Sequence, residues 1–267
     1  LSDISKVFRS RGDSGVLIAY MMGGDPNIDA SYKLAKAAIS GGADIIELGI
    51  PFSDPIADGR SIQAASVRAL QSKTTPDDVI RVGTKLKRDF HIPIVLMTYY
   101  NLVYSKGIRN FFDAMNKGQI DGIIIPDLPV EEVHLLREQA GTKSVDVILL
   151  AAPTTPSQRL VKIAGLTNGF LYLVSVVGVT GARSEIKDAS LEFVSKAKRL
   201  TNGRVPLVVG FGVSKPSHVS RFINAGADGV VVGSAIVDFV SSLKESPNLF
   251  EEVEKFVGSL KEAARLS

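Results

Sequence analysis

The chain has 267 residues, 45% of them hydrophobic and 22% charged, ordinary globular usage that excludes a disordered, collagen-like or low-complexity protein. Lys plus Arg number 31 against 28 Asp plus Glu, a formal charge of +3 with no long basic run, so neither nucleic-acid nor membrane-surface binding is expected. The absence of cysteine removes disulfides, thiolate catalysis, iron–sulfur clusters and cysteine-ligated zinc together. The three histidines, His91, His134 and His218, lie far apart without ligand spacing, and neither an HExxH nor an EF-hand pattern occurs, so no metal site is expected. No apolar run approaches the ~18–20 residues of a membrane span, and segment 1–13 lacks a signal-peptide core, so a cytoplasmic location is expected.

In chain order, short apolar runs occur at 16–22, 44–48, 92–97, 122–125, 146–150, 170–174, 205–209 and 229–232. They are near-continuous in Val, Ile and Leu rather than alternating, the pattern of parallel strands covered on both faces. Helices between them carry start signals. Asp25-Pro26 reads as an N-cap followed by the first helical position, with Gly41-Gly42 closing that helix. Thr75-Pro76 and Thr155-Pro156 read as the same opening, and Ser214 with Pro216 as a looser one. Leu34, Ala35, Ala38 and Ile39 share one side of segment 31–39, fit to pack on a sheet. A weak repeat places Asp44, Asp121 and Asp228 directly before the second, fourth and eighth runs. Eight βα units in about 250 residues predict a (β/α)8 TIM barrel over residues 1–267 as one domain, with small extra helices. A doubly wound sheet, the main competitor, typically has fewer strands and often a Gly-rich first turn that this chain lacks. The segment 246–267 reads as an extra helix with Phe250, Val253, Val257 and Leu260 as its stripe.

Function in a barrel is expected at the C-terminal ends of the strands. Glu47 ends the second run inside Ile45-Ile46-Glu47-Leu48-Gly49, where a carboxylate costs free energy unless paired or functional. Partial desolvation would raise its pKa toward neutrality, as a general acid–base requires. Eleven residues on, Asp58 sits in a loop able to fold over the barrel mouth and face it. The alternative is a structural Lys or Arg partner for Glu47, with Asp54 and Asp58 capping turns. Gly178–Gly181, Gly210–Ser214 and Gly233-Ser234 follow the last three strands, where converging backbone N–H groups and a helix N-terminus near Ser234 suit a phosphate; the alternative is that these glycines only permit tight turns. Met21, Met22 and Met97 read as strand core. His91 lies at a strand entrance, on the stability face of the barrel. Tyr99-Tyr100-Asn101 either lines a pocket or packs as satisfied aromatics.

Together these motifs resemble the tryptophan synthase alpha subunit family. The most specific block runs from Glu47-Leu48-Gly49-Ile50-Pro51-Phe52-Ser53-Asp54-Pro55-Ile56-Ala57-Asp58-Gly59 to Ile62-Gln63 and Arg68-Ala69-Leu70. Gly24-Asp25-Pro26, Met97-Thr98-Tyr99-Tyr100-Asn101, Pro126-Asp127-Leu128-Pro129-Val130-Glu131-Glu132, Gly178-Val179-Thr180-Gly181, Gly210-Phe211-Gly212 and Gly233-Ser234-Ala235-Ile236-Val237 occur with it in family order. The resemblance implies retro-aldol cleavage of indole-3-glycerol phosphate to indole and glyceraldehyde 3-phosphate, without a metal or organic cofactor in this chain. It further implies Glu47 as the principal acid–base and Asp58 as the partner of the indole N–H. Gly181, Gly212, Gly233 and Ser234 would hold the phosphate; Tyr20, Met97, Tyr172, Thr180 and Phe211 would line or close the indole pocket. The implied partner is a beta subunit carrying pyridoxal phosphate in an alpha-beta-beta-alpha complex, met by Asp54 and the region around Pro129.

The chain departs from the family pattern at Arg60-Ser61, Met22-Gly23 and Leu102. It also has Val176-Val177 where many members carry a nearby Arg. The last departure lies beside the closing loop, so activation by the partner is expected to differ more than the chemistry. Two other readings remain at this stage. A sugar-phosphate isomerase would share the glycine loops without requiring Glu47 and Asp58, and a catalytically weak regulatory subunit would not need both carboxylates intact.

Overall fold

A computed structural model of the chain describes residues 2–141, 144–174, 186, 188–243 and 246–265. The described elements are α1 (Asp3–Ser10), β1 (Val16–Met22), α2 (Ile28–Ser40), β2 (Ile45–Gly49), α3 (Arg60–Gln71), α4 (Pro76–Phe90) and β3 (Ile94–Met97). They continue as α5 (Tyr100–Lys106), α6 (Ile108–Lys117), β4 (Gly122–Ile124), α7 (Val133–Ala140), β5 (Asp146–Ala151), α8 (Ser157–Leu166) and β6 (Leu171–Val174). The chain ends with α9 (Asp188–Thr201), β7 (Leu207–Gly210), α10 (Pro216–Asn224), β8 (Gly229–Val232), α11 (Ser234–Ser242) and α12 (Leu249–Glu262). Each strand pairs in parallel with the next, and β8 returns to β1 to close a (β/α)8 barrel. The extra helices stand before β1, between β2 and β3, between β3 and β4, and after α11.

The runs at 92–97 and 205–209 begin as strands two residues later than their apolar pattern. Pro93 and Pro206 lack the N–H that the ladder needs, so pairing starts at Ile94 and Leu207. Thr75 caps α4 in a full capping box with Asp78. Two expected caps are different. Asn27 accepts the Ala30 N–H and caps α2, while Asp25 takes a bidentate pair from Arg68 at 2.7 Å. Thr155 accepts the Ala152 N–H instead of capping α8, whose N-cap position holds Pro156. In both cases the polar side chain finds a stronger or nearer donor outside the helix. In α12, Val253, Val257 and Leu260 are buried as expected, but Phe250 is exposed.

Strand alternation divides the uniformly apolar runs into two cores. Leu17, Ala19, Ile46, Leu48, Leu96, Leu173 and Val209 face the helices. Ile18, Tyr20, Ile45, Val95, Met97, Ile124, Tyr172, Val208 and Val231 fill the barrel, closed at its N-terminal end by Ile4 and Phe8 of α1. The Asp repeat has a structural meaning. Asp44 N donates to Leu17 O while the Asp44 carboxylate accepts Leu17 N–H, and Asp121 with Ile94 and Asp228 with Leu207 repeat the exchange. Lys261, Lys87 and Lys198 neutralise the three carboxylates in turn. Before β6, Thr167 Oγ1 accepts the Leu149 N–H in the same manner. Every even-numbered strand is thus latched at its start to the odd strand before it, which holds the stability face rigid while the opposite face carries the site.

Candidate active site

Glu47 points into the barrel from the middle of β2, 1% exposed. Neither of its carboxylate oxygens has a hydrogen-bond partner, and among the described residues no Lys or Arg supplies the structural ion pair that was its alternative. Burial pushes its pKa up to about 8, with the negative charge of Asp58 adding to the rise. Asp58 lies in the loop 50–59 between β2 and α3. Burial pushes it up to about 6 against the lowering effect of a hydrogen bond from Tyr99.

The loop is pinned at several points. Ile50 N donates to Met97 O at 2.8 Å. Ser66 Oγ of α3 accepts the Phe52 N–H and donates to the Phe52 carbonyl, both at 2.9 Å. The Tyr99 hydroxyl accepts the Ala57 N–H at 3.0 Å while the Phe52 and Tyr99 rings stack 5.2 Å apart. The loop therefore does fold over the mouth, and Glu47 and Asp58 line one pocket.

That pocket has about 540 Å³ of empty space, part of it open to solvent. The expected Tyr20, Met97, Tyr172 and Phe211 line it, as do Gly212, Gly233 and Ser234. Gly59, Ile62, Val213 and Val231 line it too; the first three lie within motifs the sequence singled out without being assigned to the pocket, and Val231 is an ordinary strand residue. Tyr20 sits opposite Glu47 in the β1–β2 register, and its hydroxyl leans two residues further up β2, 2.3 Å from where a Cβ on Gly49 would be. Tyr172 opposes Val208 in the β6–β7 register and leans on Gly210 in the same way, at 1.9 Å. Two glycines at strand ends thus leave space for two phenol hydroxyls at the barrel mouth. The Phe211 ring meets Tyr172 edge-on at 6.0 Å.

The opposite wall is made of backbone. Phe211 and Gly212 are both left-handed, at φ 66° and 78°, which turns the chain sharply after β7. Buried His218 Nδ1, in the first turn of α10, lies 3.2 Å from the Gly212 carbonyl and 3.4 Å from the Ser214 backbone N, a loop-positioning role that the scattered histidines did not reveal. α11 begins at Ser234 directly after Gly233, with no side-chain cap. Its first-turn N–H groups and helix dipole are therefore available to an anion at the pocket wall.

Val176, Val177, Gly178, Thr180 and Gly181 lie outside the described residues. Asp54 and Pro129 are exposed on the loops after β2 and β4, outside the pocket. Between them on the rim stand exposed Ile56 and Tyr104, the latter on α5 after β3. Hydrogen bonds join successive loops here: Ala57 to Tyr99, Tyr100 N to Asp127, and Arg159 to Glu131. No cluster of three or more His, Asp or Glu fit for a metal occurs among the described residues.

The fold and the site define a (β/α)8 barrel enzyme whose C-terminal mouth brings two carboxylates of unequal acidity to a pocket that the uncapped N-terminus of α11 also borders. The family model of the tryptophan synthase alpha chain matches residues 9–265, and the chain belongs to that family. The tryptophan synthase alpha chain of Prochlorococcus marinus is 43% identical over 266 residues, covering 99% of this chain and 94% of the relative; that of Arabidopsis thaliana is 39% identical over 98% and 94%. Among solved structures, a mutant tryptophan synthase alpha-subunit from Pyrococcus furiosus superposes with a TM-score of 0.84 at 40% identity, covering 93% of this chain and 98% of its own. An aminoacrylate-bound tryptophan synthase from M. tuberculosis superposes at 0.86 with 29% identity, over 99% and 100%.

Proposed function

We propose that the pocket cleaves indole-3-glycerol phosphate to indole and glyceraldehyde 3-phosphate by a retro-aldol step carried by Glu47 and Asp58. The observation behind this reading is the separation of the two carboxylates' acidities within one pocket, about 8 and about 6, which assigns acid and base roles at neutral pH. Glu47 is protonated there and gives its proton to indole C3, forming the indolenine tautomer. The resulting carboxylate accepts the proton of the glycerol hydroxyl as the carbon–carbon bond breaks, and Glu47 returns to its starting state. Asp58 is ionised, accepts the indole N–H and stabilises the positive charge that develops on that nitrogen. The phosphate sits on N–H groups of Gly212, Gly233 and Ser234, with Gly181 completing the cradle. Met97, Tyr172 and Phe211 hold the indole, and Thr180 closes over it.

On this reading one barrel domain, working in the cytoplasm, carries the reaction without a cofactor of its own. A beta subunit holding pyridoxal phosphate docks on the rim at Asp54 and Pro129 in an alpha-beta-beta-alpha complex. Exposed Ile56 and Tyr104 support that docking face, and the relatives include a tryptophan synthase complex from Pyrococcus furiosus at 39% identity. Loop closure shields the reaction and couples the two sites. Indole release from indole-3-glycerol phosphate, measured for the wild type, Glu47→Gln and Asp58→Asn with and without a beta subunit, tests the reading. Undiminished activity in Glu47→Gln rejects the mechanism.

A further inference from the structure

Tyr20 differs from the other apolar-pocket side chains in what its ring bridges. Its Cβ, Cγ and Cδ1 end lies under Gly233, 3.1–3.3 Å from where a Cβ on that glycine would be. Its hydroxyl end reaches Gly49, two residues beyond Glu47 on the same inward face of β2. The ring therefore spans from the anion cradle to the acid–base carboxylate. The side chain is buried within the site, and its hydroxyl has no hydrogen-bond partner among the described residues.

A phenol O–H that faces a pocket and has no protein partner can exchange solvent for a ligand hydroxyl. Tyr20 lines the pocket, so its hydroxyl can meet that ligand directly. Burial, with the negative charge of Asp58 adding to it, pushes the pKa of this hydroxyl well up, so it remains a neutral donor throughout the working range. A ligand with its phosphate at Gly233 and its reacting carbon at Glu47 must lay the intervening carbons across the Tyr20 ring. In indole-3-glycerol phosphate those carbons bear the hydroxyls.

We infer that the Tyr20 hydroxyl is a specificity contact for the hydroxylated three-carbon chain of the substrate rather than for its indole ring. This rests on the reaction proposed above and refines the pocket assignment expected from the sequence. A site that hydrogen-bonds a substrate hydroxyl discriminates against an analogue lacking it, because its own polar group is then left unpaired.

The test compares wild type with Tyr20→Phe, which keeps the ring packing under Gly233. Two readouts are needed: kcat/KM for indole-3-glycerol phosphate, and the inhibition constant of the phosphate ester of 3-(indol-3-yl)propanol, which has the same chain without its hydroxyls. The expected result is a fall in kcat/KM of about fivefold, the effect of one neutral hydrogen bond, with the inhibition constant unchanged within about twofold. Equal weakening of both ligands assigns Tyr20 to ring packing and overturns the inference, as does a Tyr20→Phe enzyme with undiminished kcat/KM. A wild type that binds the propanol ester but does not cleave the glycerol ester overturns the proposed reaction and, with it, this inference.

Discussion

The Tyr99 hydroxyl accepts the Ala57 N–H and donates to Asp58, so a residue at the end of β3 holds the loop that carries the second carboxylate of β2's neighbourhood. The hydrogen bond favours the ionised form of Asp58, which burial alone would push higher than about 6. Tyr99→Phe is therefore expected to move the acid limb of the pH profile of kcat/KM above 6 and to lower the value at pH 7 about tenfold. Pre-steady-state or steady-state rates across pH 5–9 read both effects. An unmoved acid limb would remove Tyr99 from the positioning of Asp58.

In the wild type, kcat/KM requires Asp58 ionised and Glu47 protonated. The profile is expected to rise through about 6 and fall above about 8. Because the Asp58 charge raises Glu47, Asp58→Asn should shift the alkaline limb of the residual activity to lower pH. A shift upward contradicts the electrostatic coupling.

Burial of Glu47 also fixes a stability trend. Its pKa is about 8 in the folded chain against an ordinary value of 4.5, so between those values the folded state binds a proton that the unfolded state has released. Stability contributed by this group is highest below 4.5 and decreases as pH rises toward 8, by on the order of 4 kcal/mol. Denaturant midpoints at pH 5 and pH 8 should show this fall in the wild type and lose it in Glu47→Gln. A parallel fall in both proteins assigns the trend to other groups.

Gly49 is required for space rather than for backbone freedom. An added Cβ would lie 2.3 Å from the Tyr20 hydroxyl and 2.9 Å from its Cζ, so Gly49→Ala must displace the ring into the pocket. The expected outcome is a kcat/KM reduced at least tenfold with a smaller loss of stability, about 1–3 kcal/mol, and partial recovery of kcat/KM in Gly49→Ala with Tyr20→Phe. Additive losses in the double variant would show that the two side chains do not compete for that space.

At the other end of the barrel, Asp121 accepts the Ile94 N–H at 2.8 Å and pairs with Lys87 at 2.7 Å. Asp121→Ala leaves a buried backbone donor and a largely buried ammonium short of a partner, with Asp3 still near Lys87. The expected cost is about 3 kcal/mol, measured by equilibrium unfolding, with kcat per folded molecule unchanged because the site lies on the opposite face.

The sequence by itself determined the strand count and the barrel, because eight continuous Val/Ile/Leu runs each need cover on both faces. It also singled out two carboxylates that the fold brings to one pocket: Glu47 stands alone in an apolar strand, and Asp58 follows in the loop after that strand. Tertiary structure alone decided what each side chain meets. Asp25 and Thr155 resembled helix caps locally, yet Arg68 and the Ala152 N–H took their oxygens. Tyr20 looked like pocket lining, but only the β1–β2 register places its hydroxyl over Gly49. His218 looked isolated until the fold brought it to the Gly212 carbonyl. The physical reason is the same in each case. Burial and periodicity are properties of a segment and survive in the sequence, whereas a hydrogen bond or a close approach between distant strands depends on register and loop path, which only the closed barrel sets.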